Sequence, residues 1–216
     1  MIKNLTLKKI DDVSIIKMDD GKVNVFSIEM LENFRSILSE IPRDKGSLII
    51  TGRDGIFSGG FNLKTFQAGE PEQITKMLNL GFETLYDIYT FPRPVIASVS
   101  GHAIALGIFL VSCCDYRIGV NGDYILQANE VRNKMSIPTQ LIEIAASRLD
   151  KSHVSDMVLS VWRRNVQLHL VSCPTYSAIS HFIEIISFKS SSTNIEESHV
   201  RGPRIVKILD ICIKFL

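Results

Sequence analysis

The chain has 216 residues, 45% of them hydrophobic and 22% charged, with a formal net charge of +1. That is ordinary globular composition, enough for one packed domain or one domain with a short appendage. Near-neutral charge offers no basic field for nucleic acid or an anionic membrane. The four cysteines, at 113, 114, 173 and 212, form no CxxC pair for zinc or redox work, so a reducing cytoplasmic setting is expected.

In chain order, LTLKKIDDVSIIKMDD (5–20) reads as two strands around an Asp-Asp turn, and MIKNLTLKKIDD has no signal-peptide character. Ser27 is a candidate N-cap for a helix whose apolar stripe is Leu31, Phe34, Ile37, Leu38 and Ile41, ending before Pro42. SLIIT (47–51) has the composition of a strand buried on both faces. A turn at Gly59-Gly60 leads into a loop with Gly69 and Pro71. Ile74, Met77, Leu78, Phe82, Leu85 and Ile88 then mark a long amphipathic helix before Pro92. PVIASVSG (94–101) is a second buried strand. The apolar run AIALGIFLVSCC (103–114) is too short to span a bilayer and reads as a buried helix, so no membrane insertion is expected. YRIGV (116–120) and YILQA (124–128) are strands whose Asn121-Gly122 link has the form of a tight hairpin turn. PTQLIEIAASRL (138–149) is a helix, with Ser152 as the cap of another. The mixture of hairpins and crossovers predicts α/β layers.

Phosphate-loop, dinucleotide, zinc-protease, EF-hand and nucleophile-elbow spacings are absent, and the five histidines pair with no ligand partner, so no metal site is expected. His102 reads as a locally packed histidine. A repeated construction remains. Strand 47–51 runs into the Gly59-Gly60 turn, and strand 95–99 runs into SGHAIALG (100–107) at the head of the apolar helix. Each supplies backbone N–H groups at a strand or helix end; two such donors converging would stabilise a developing oxyanion, although both could equally be ordinary turns. Glu130, in ANEVRNK, is a carboxylate between a strand and an apolar segment; by itself it fits a solvated loop acid as well as a catalytic one.

Three blocks carry a family resemblance: IITGRDGIFSGGFNLK (49–64), RPVIASVSGHAIALGIFLVSCCDYRIG (93–119) and NEVRNKMSIP (129–138). With VSIIKMDDGKVNVFSIEMLENF (13–34), they resemble the crotonase, or enoyl-CoA hydratase/isomerase, superfamily over about residues 1–160. The resemblance implies a spiral of β-β-α units binding an acyl-CoA thioester, with coenzyme A as part of the substrate and no separate cofactor. It places the two oxyanion donors at the N–H groups of Gly59 and Leu106, and the acid/base at Glu130. Ser58, Gly60, Phe61, Asn62, Leu63, Gly107 and Phe109 are the implied substrate and CoA contacts, with Phe66, Met77 and Phe82 as candidates for the acyl tunnel. The family's second carboxylate is matched by Phe109, which cannot hold water or move a proton. That departure favours isomerisation, in which one glutamate carries a proton from C2 to C4, over hydration. A hydratase using Glu130 alone, or a non-catalytic acyl-CoA-binding homologue, are the alternatives.

Beyond residue 160 the family pattern stops. Trp162-Arg163-Arg164-Asn165-Val166, encoded as TGG AGA AGA AAT GTT, would read Gly-Glu-Glu-Met-Phe one base later, closer to what relatives carry. Residues 161–216 are accordingly read as a divergent tail, from a frameshift, an alternative splice or a misjoined gene. It replaces the C-terminal helices with which relatives build trimers or dimers of trimers, so that assembly is not expected here.

Overall fold

The computed structural model describes residues 4–120, 122–149, 154, 155, 157 and 158. The tail, its proposed reading frame, the Ser152 cap and Asn121 lie outside the described residues.

The chain opens with an antiparallel pair, β1 (Leu5–Ile10) and β2 (Val13–Met18), turned at Asp11-Asp12. The next strand, β3 (Val25–Phe26), leads into α1 (Ile28–Ser39). Ser27 caps that helix as its side chain accepts from the Met30 N–H at 3.1 Å, satisfying one of the orphan first-turn donors. The stripe Met30, Leu31, Phe34, Ile37 and Leu38 is buried. Such side chains contribute about 1.5–3 kcal/mol each on leaving water.

Strand β4 (Ser47–Thr51) is followed by β5 (Gly55–Ser58) and β6 (Gly60–Phe61), then by the short α2 (Leu63–Ala68) and the long α3 (Pro71–Tyr89). The sequence suggested only a loop where α2 forms. Asn62 caps α2 by accepting from the Lys64 N–H, and left-handed Gly69 ends it. Helix α3 buries Met77, Leu85 and Ile88 and is tied to α1 by ion pairs from Arg35 to Glu83 and Asp87 and from Lys76 to Glu32.

The second half runs β7 (Val95–Val99), β8 (Gly101–Ile104), α4 (Leu106–Cys113), β9 (Tyr116–Gly119), β10 (Leu126–Gln127), a 3₁₀ turn (Val131–Asn133) and α5 (Thr139–Arg148). Three sheets result. The largest has the order β1-β2-β4-β7-β9, parallel except for the first pair. A three-stranded parallel sheet is ordered β10-β8-β5, and β3 pairs with β6.

The hairpin expected at 116–128 does not form. Strand β9 joins β7 in the large sheet, whereas β10 joins β8 in the small one. The two neighbours in sequence are therefore separated by sheet, because each has a parallel partner elsewhere whose pairing outweighs a local turn preference. Helix α4 is buried at every position, as its apolar composition predicted, and its side chains join the main core cluster. A smaller cluster, Val13, Ile15, Ile49 and Ile96, lies on the large sheet apart from this core.

Candidate active site

The small parallel sheet is what gathers the candidate residues. Its register aligns Ser58 of β5 with Ala103 of β8, and Ala103 with Leu126 of β10. Continuing toward the C-terminal ends of these strands reaches Phe61, Leu106 and Glu130 three or four residues later. Parallel neighbours lie about 4.7–4.9 Å apart, so the three segments emerge side by side, with the head of α4 in the centre. Backbone bonds hold this arrangement: the Ala103 N–H donates to Ile125 O at 3.0 Å and the Ala105 N–H to Gln127 O at 2.8 Å.

At the head of α4, Ile108 and Phe109 donate the first intrahelical bonds, to Ala105 O. The N–H groups of Leu106 and Gly107 precede them, and no side chain caps the helix. Leu106 thus occupies the position the sequence resemblance assigned to a donor. Ala105 before it sits at φ 51° and ψ −125°, a strained conformation for a residue with a Cβ, which aims the following peptide. The Leu106 side chain is buried in the core.

Gly59 is not free to serve as the second donor that the resemblance implies. Its N–H donates to Val23 O at 2.7 Å and is consumed inside the protein. The Gly60 N–H is likewise engaged, with the Ser58 Oγ at 3.1 Å. In the β3–β6 ladder, the Asn62 N–H donates to Phe26 O at 3.2 Å. Because N–H groups alternate sides along a parallel strand, that bond turns the Phe61 N–H away from β3. Phe61 was expected as a binding contact; the ladder makes its backbone the donor candidate. Gly60 marks close approach instead. It has φ 86°, and a Cβ there would lie 2.6 Å from the Ala105 Cβ and 3.2 Å from the Leu106 nitrogen. Glycine is therefore what lets β6 lie against the start of α4.

Other expected contacts divide. The ring of Phe61 is half-buried, sits edge-on to Phe66 at 6.2 Å and occupies the space over Gly81 of α3. Leu63 is 60% exposed and Asn62 caps α2. Ser58 and Phe109 are both fully buried, which corrects their assignment as substrate contacts: Ser58 bonds within the backbone and Phe109 belongs to the core. Gly107 packs against Ser58, where a Cβ would meet the serine Cβ at 2.9 Å. Met77 is also core, while Phe82 packs at its margin. His102 is held locally, its Nδ1 accepting from the Ile125 N–H at 2.9 Å and its ring edge-on to Tyr124.

Glu130 opens the 3₁₀ turn, and its carbonyl accepts from the N–H groups of Asn133 and Met135, both at 2.9 Å. Its side chain is half-buried, and Oε2 is buried with no hydrogen-bond partner among the described residues. Burial raises its pKa above the usual carboxylate range, opposed only by a bond from its own backbone. Among the described residues no His, Cys, Asp and Glu cluster could hold a metal ion, and no helix is long and apolar enough to cross a membrane.

Comparison with known proteins identifies the family and the fold. The enoyl-CoA hydratase/isomerase family model matches residues 9–166. A probable enoyl-CoA hydratase of Bacillus subtilis is 30% identical over 109 residues, covering 49% of this chain and 42% of that protein. The mitochondrial enoyl-CoA delta isomerase 1 of Mus musculus is 29% identical over 122 residues, 55% of this chain and 42% of the isomerase. The matched segment thus spans less than half the length of these two relatives. A crystal structure of a probable enoyl-CoA hydratase from Mycobacterium tuberculosis superposes with a TM-score of 0.73 at 30% identity, covering 99% of this chain and 92% of that one. With that match over most of the described residues, the chain belongs to the enoyl-CoA hydratase/isomerase, or crotonase, superfamily and has its α/β fold.

Proposed function

We propose that the chain is an enoyl-CoA isomerase that moves the double bond of a 3-enoyl-CoA to position 2. The observation that carries the proposal is Glu130, whose Oε2 is buried without a partner among the described residues and whose pKa is raised by burial. A desolvated carboxylate is a stronger base toward a carbon acid than a solvated one, and its neutral form can return the proton.

Glu130 removes a proton from C2, and the electron pair moves onto the thioester oxygen. The N–H groups of Phe61 and Leu106 hold that oxygen while charge develops on it. Collapse of the dienolate takes the proton back from Glu130 at C4, leaving the 2-enoyl thioester. Atoms and charge balance with no group beyond the coenzyme A of the substrate. Loss of one such donor typically costs about 3–4 kcal/mol of transition-state stabilisation.

Full burial of Phe109, at the position matched to the family's second carboxylate, supports isomerisation over hydration. The name of the mouse relative, a delta isomerase, is in keeping with it. Incubation with 2-enoyl- and 3-enoyl-CoA of several chain lengths tests the reading: 3-to-2 conversion supports it, whereas hydration alone or binding without turnover overturns it. Glu130→Gln should lower kcat/KM for 3-enoyl-CoA by roughly 10²–10⁴-fold, the range for a positioned acid/base. Unchanged turnover in that variant would refute the role.

A further inference from the structure

The loop between β2 and β3, DDGKVN (19–24), touches neither Phe61, Leu106 nor Glu130 by a hydrogen bond, yet it holds the strand that leads to Phe61. Asn24 is fully buried and sits at φ 50°. Its amide nitrogen donates to Met18 O at 3.0 Å and Phe57 O at 3.1 Å. The loop is closed by Asp20, whose carboxylate accepts from the N–H groups of Lys22, Asn24 and Val25 at 2.7, 2.9 and 3.1 Å. The Asp20 N–H returns a bond to Asn24 Oδ1 at 2.9 Å.

From this loop, bonds reach successive residues of the β5–β6 segment. Phe57 O is bound by the Asn24 amide. The Ser58 hydroxyl donates to Asn24 O at 2.7 Å and accepts from the Gly60 N–H at 3.1 Å. The Gly59 N–H donates to Val23 O at 2.7 Å. One hydroxyl thereby links the loop to the peptide just before Phe61, using a donor and an acceptor site at once. Gly60 lacks a Cβ and has wide conformational freedom. The Ser58 bond fixes the 59–60 peptide before it and the Asn62–Phe26 ladder bond fixes the chain after it, so the intervening Phe61 N–H is aimed from both sides.

We propose that Asn24 and Ser58 are positioning residues that aim the Phe61 N–H at the thioester oxygen, with Asp20 holding the loop in shape. Neither touches the substrate. The inference rests on the oxyanion role given to Phe61 above. It explains why a serine stands, fully buried, where the sequence suggested a coenzyme A contact.

The test measures carbonyl polarisation separately from turnover. A saturated acyl-CoA, hexanoyl-CoA with a ¹³C-labelled thioester carbonyl, is bound to the full chain, and the C=O stretch is read by isotope-edited infrared difference. The wild-type shift to lower frequency reports hydrogen bonding to the oxygen. Ser58→Ala should diminish that shift and lower kcat for 3-enoyl-CoA by roughly tenfold or more, short of the 10²–10³ expected for complete loss of a donor, with KM changed less than threefold. Asp20→Ala, at a partly exposed loop position, should show the same pattern more weakly and serves if Ser58→Ala does not fold. Arg35→Ala, in the distant α1–α3 ion pairs, is the control for general destabilisation and should leave the shift unchanged.

A Ser58→Ala protein with lowered thermal stability but wild-type shift and kcat would overturn the proposal, leaving Ser58 a structural residue. A wild-type chain that binds hexanoyl-CoA without any shift would overturn it together with the oxyanion reading. A wild-type chain that polarises the carbonyl but converts no enoyl-CoA would sink the isomerase reading alone. The positioning role would then still stand or fall on the Ser58→Ala shift.

Discussion

Glu130 combines two opposed effects in one side chain. Burial raises its pKa, which makes the carboxylate a better base but a costly group to keep ionised. Two consequences follow with definite sign. Because the base form is needed to remove the C2 proton, the acidic limb of kcat/KM should lie above the 4.5 of an ordinary glutamate, and a pH–rate profile on 3-enoyl-CoA checks it. For stability, a folded pKa above the unfolded one means the neutral acid is favoured in the fold. That contribution is fully present below the unfolded pKa and is lost as pH rises through the folded one. Glu130→Gln should therefore raise the unfolding temperature at pH 7 relative to wild type and lose that advantage near pH 4, while turnover falls at both. A variant equally destabilised at both pH values would contradict the account. Gly60 offers a second test at this scale. A methyl group there would meet the Ala105 Cβ at 2.6 Å and Ile104 O at 2.8 Å, in a left-handed backbone. Gly60→Ala should cost about 2–4 kcal/mol in denaturant unfolding, as overpacking and positive φ add.

The elements show what could be read from the chain and what could not. Strands β1 and β2 and helices α1 and α3 were legible because their signal is local: alternation around Asp11-Asp12, a capping serine at 27, and a stripe of apolar residues at helical spacing. The separation of β9 from β10 was not, since Asn121-Gly122 reports a turn and says nothing of which strand lies alongside. Gly59, whose N–H is taken by Val23 O, drew the donor assignment for a related reason. Glycine in a site block attracts attention to itself, but Gly60 is required by what approaches it, and the ladder phase that exposes the Phe61 N–H depends on β3, more than thirty residues earlier. Helix α3 carries a further test of this packing. Gly81 faces the Phe61 ring, and a Cβ there would lie 2.5 Å from the ring tip and 3.3 Å from a Leu106 methyl. Alanine would gain about 1 kcal/mol of helix propensity over glycine, and the displaced atoms are the far end of a half-buried ring. Gly81→Ala should therefore change unfolding free energy by less than about 1 kcal/mol while displacing the Phe61 ring beside the donor. Steady-state kinetics should show altered KM or kcat at near-constant stability; wild-type kinetics would mean the ring has no part in the site.

For the whole molecule, the question is whether a crotonase core followed by this tail remains closed, because α4 supplies both the donor N–H proposed at Leu106 and a fully buried helix of the core. Cys113 and Cys114 at the end of that helix are natural reporters. Both are buried and unpaired among the described residues; desolvation pushes Cys113 up to about 12 and Cys114 higher still. Alkylation proceeds through the thiolate, so neither should react from the native state, and labelling must await opening of the core. In the full-length chain, peptide mapping after iodoacetamide treatment at pH 8 should find both residues unmodified over times that label a free thiol completely, and both modified in denaturant. Their labelling rates should also rise together on approaching the unfolding midpoint, since they share one helix in one cooperative core. Rapid native labelling at Cys113 or Cys114 would mean that α4 is not held, and a helix that is not held cannot keep the Leu106 N–H aligned with Phe61 and Glu130. The same experiment thus links the stability of the core to the competence of the site, independently of which enoyl-CoA is supplied.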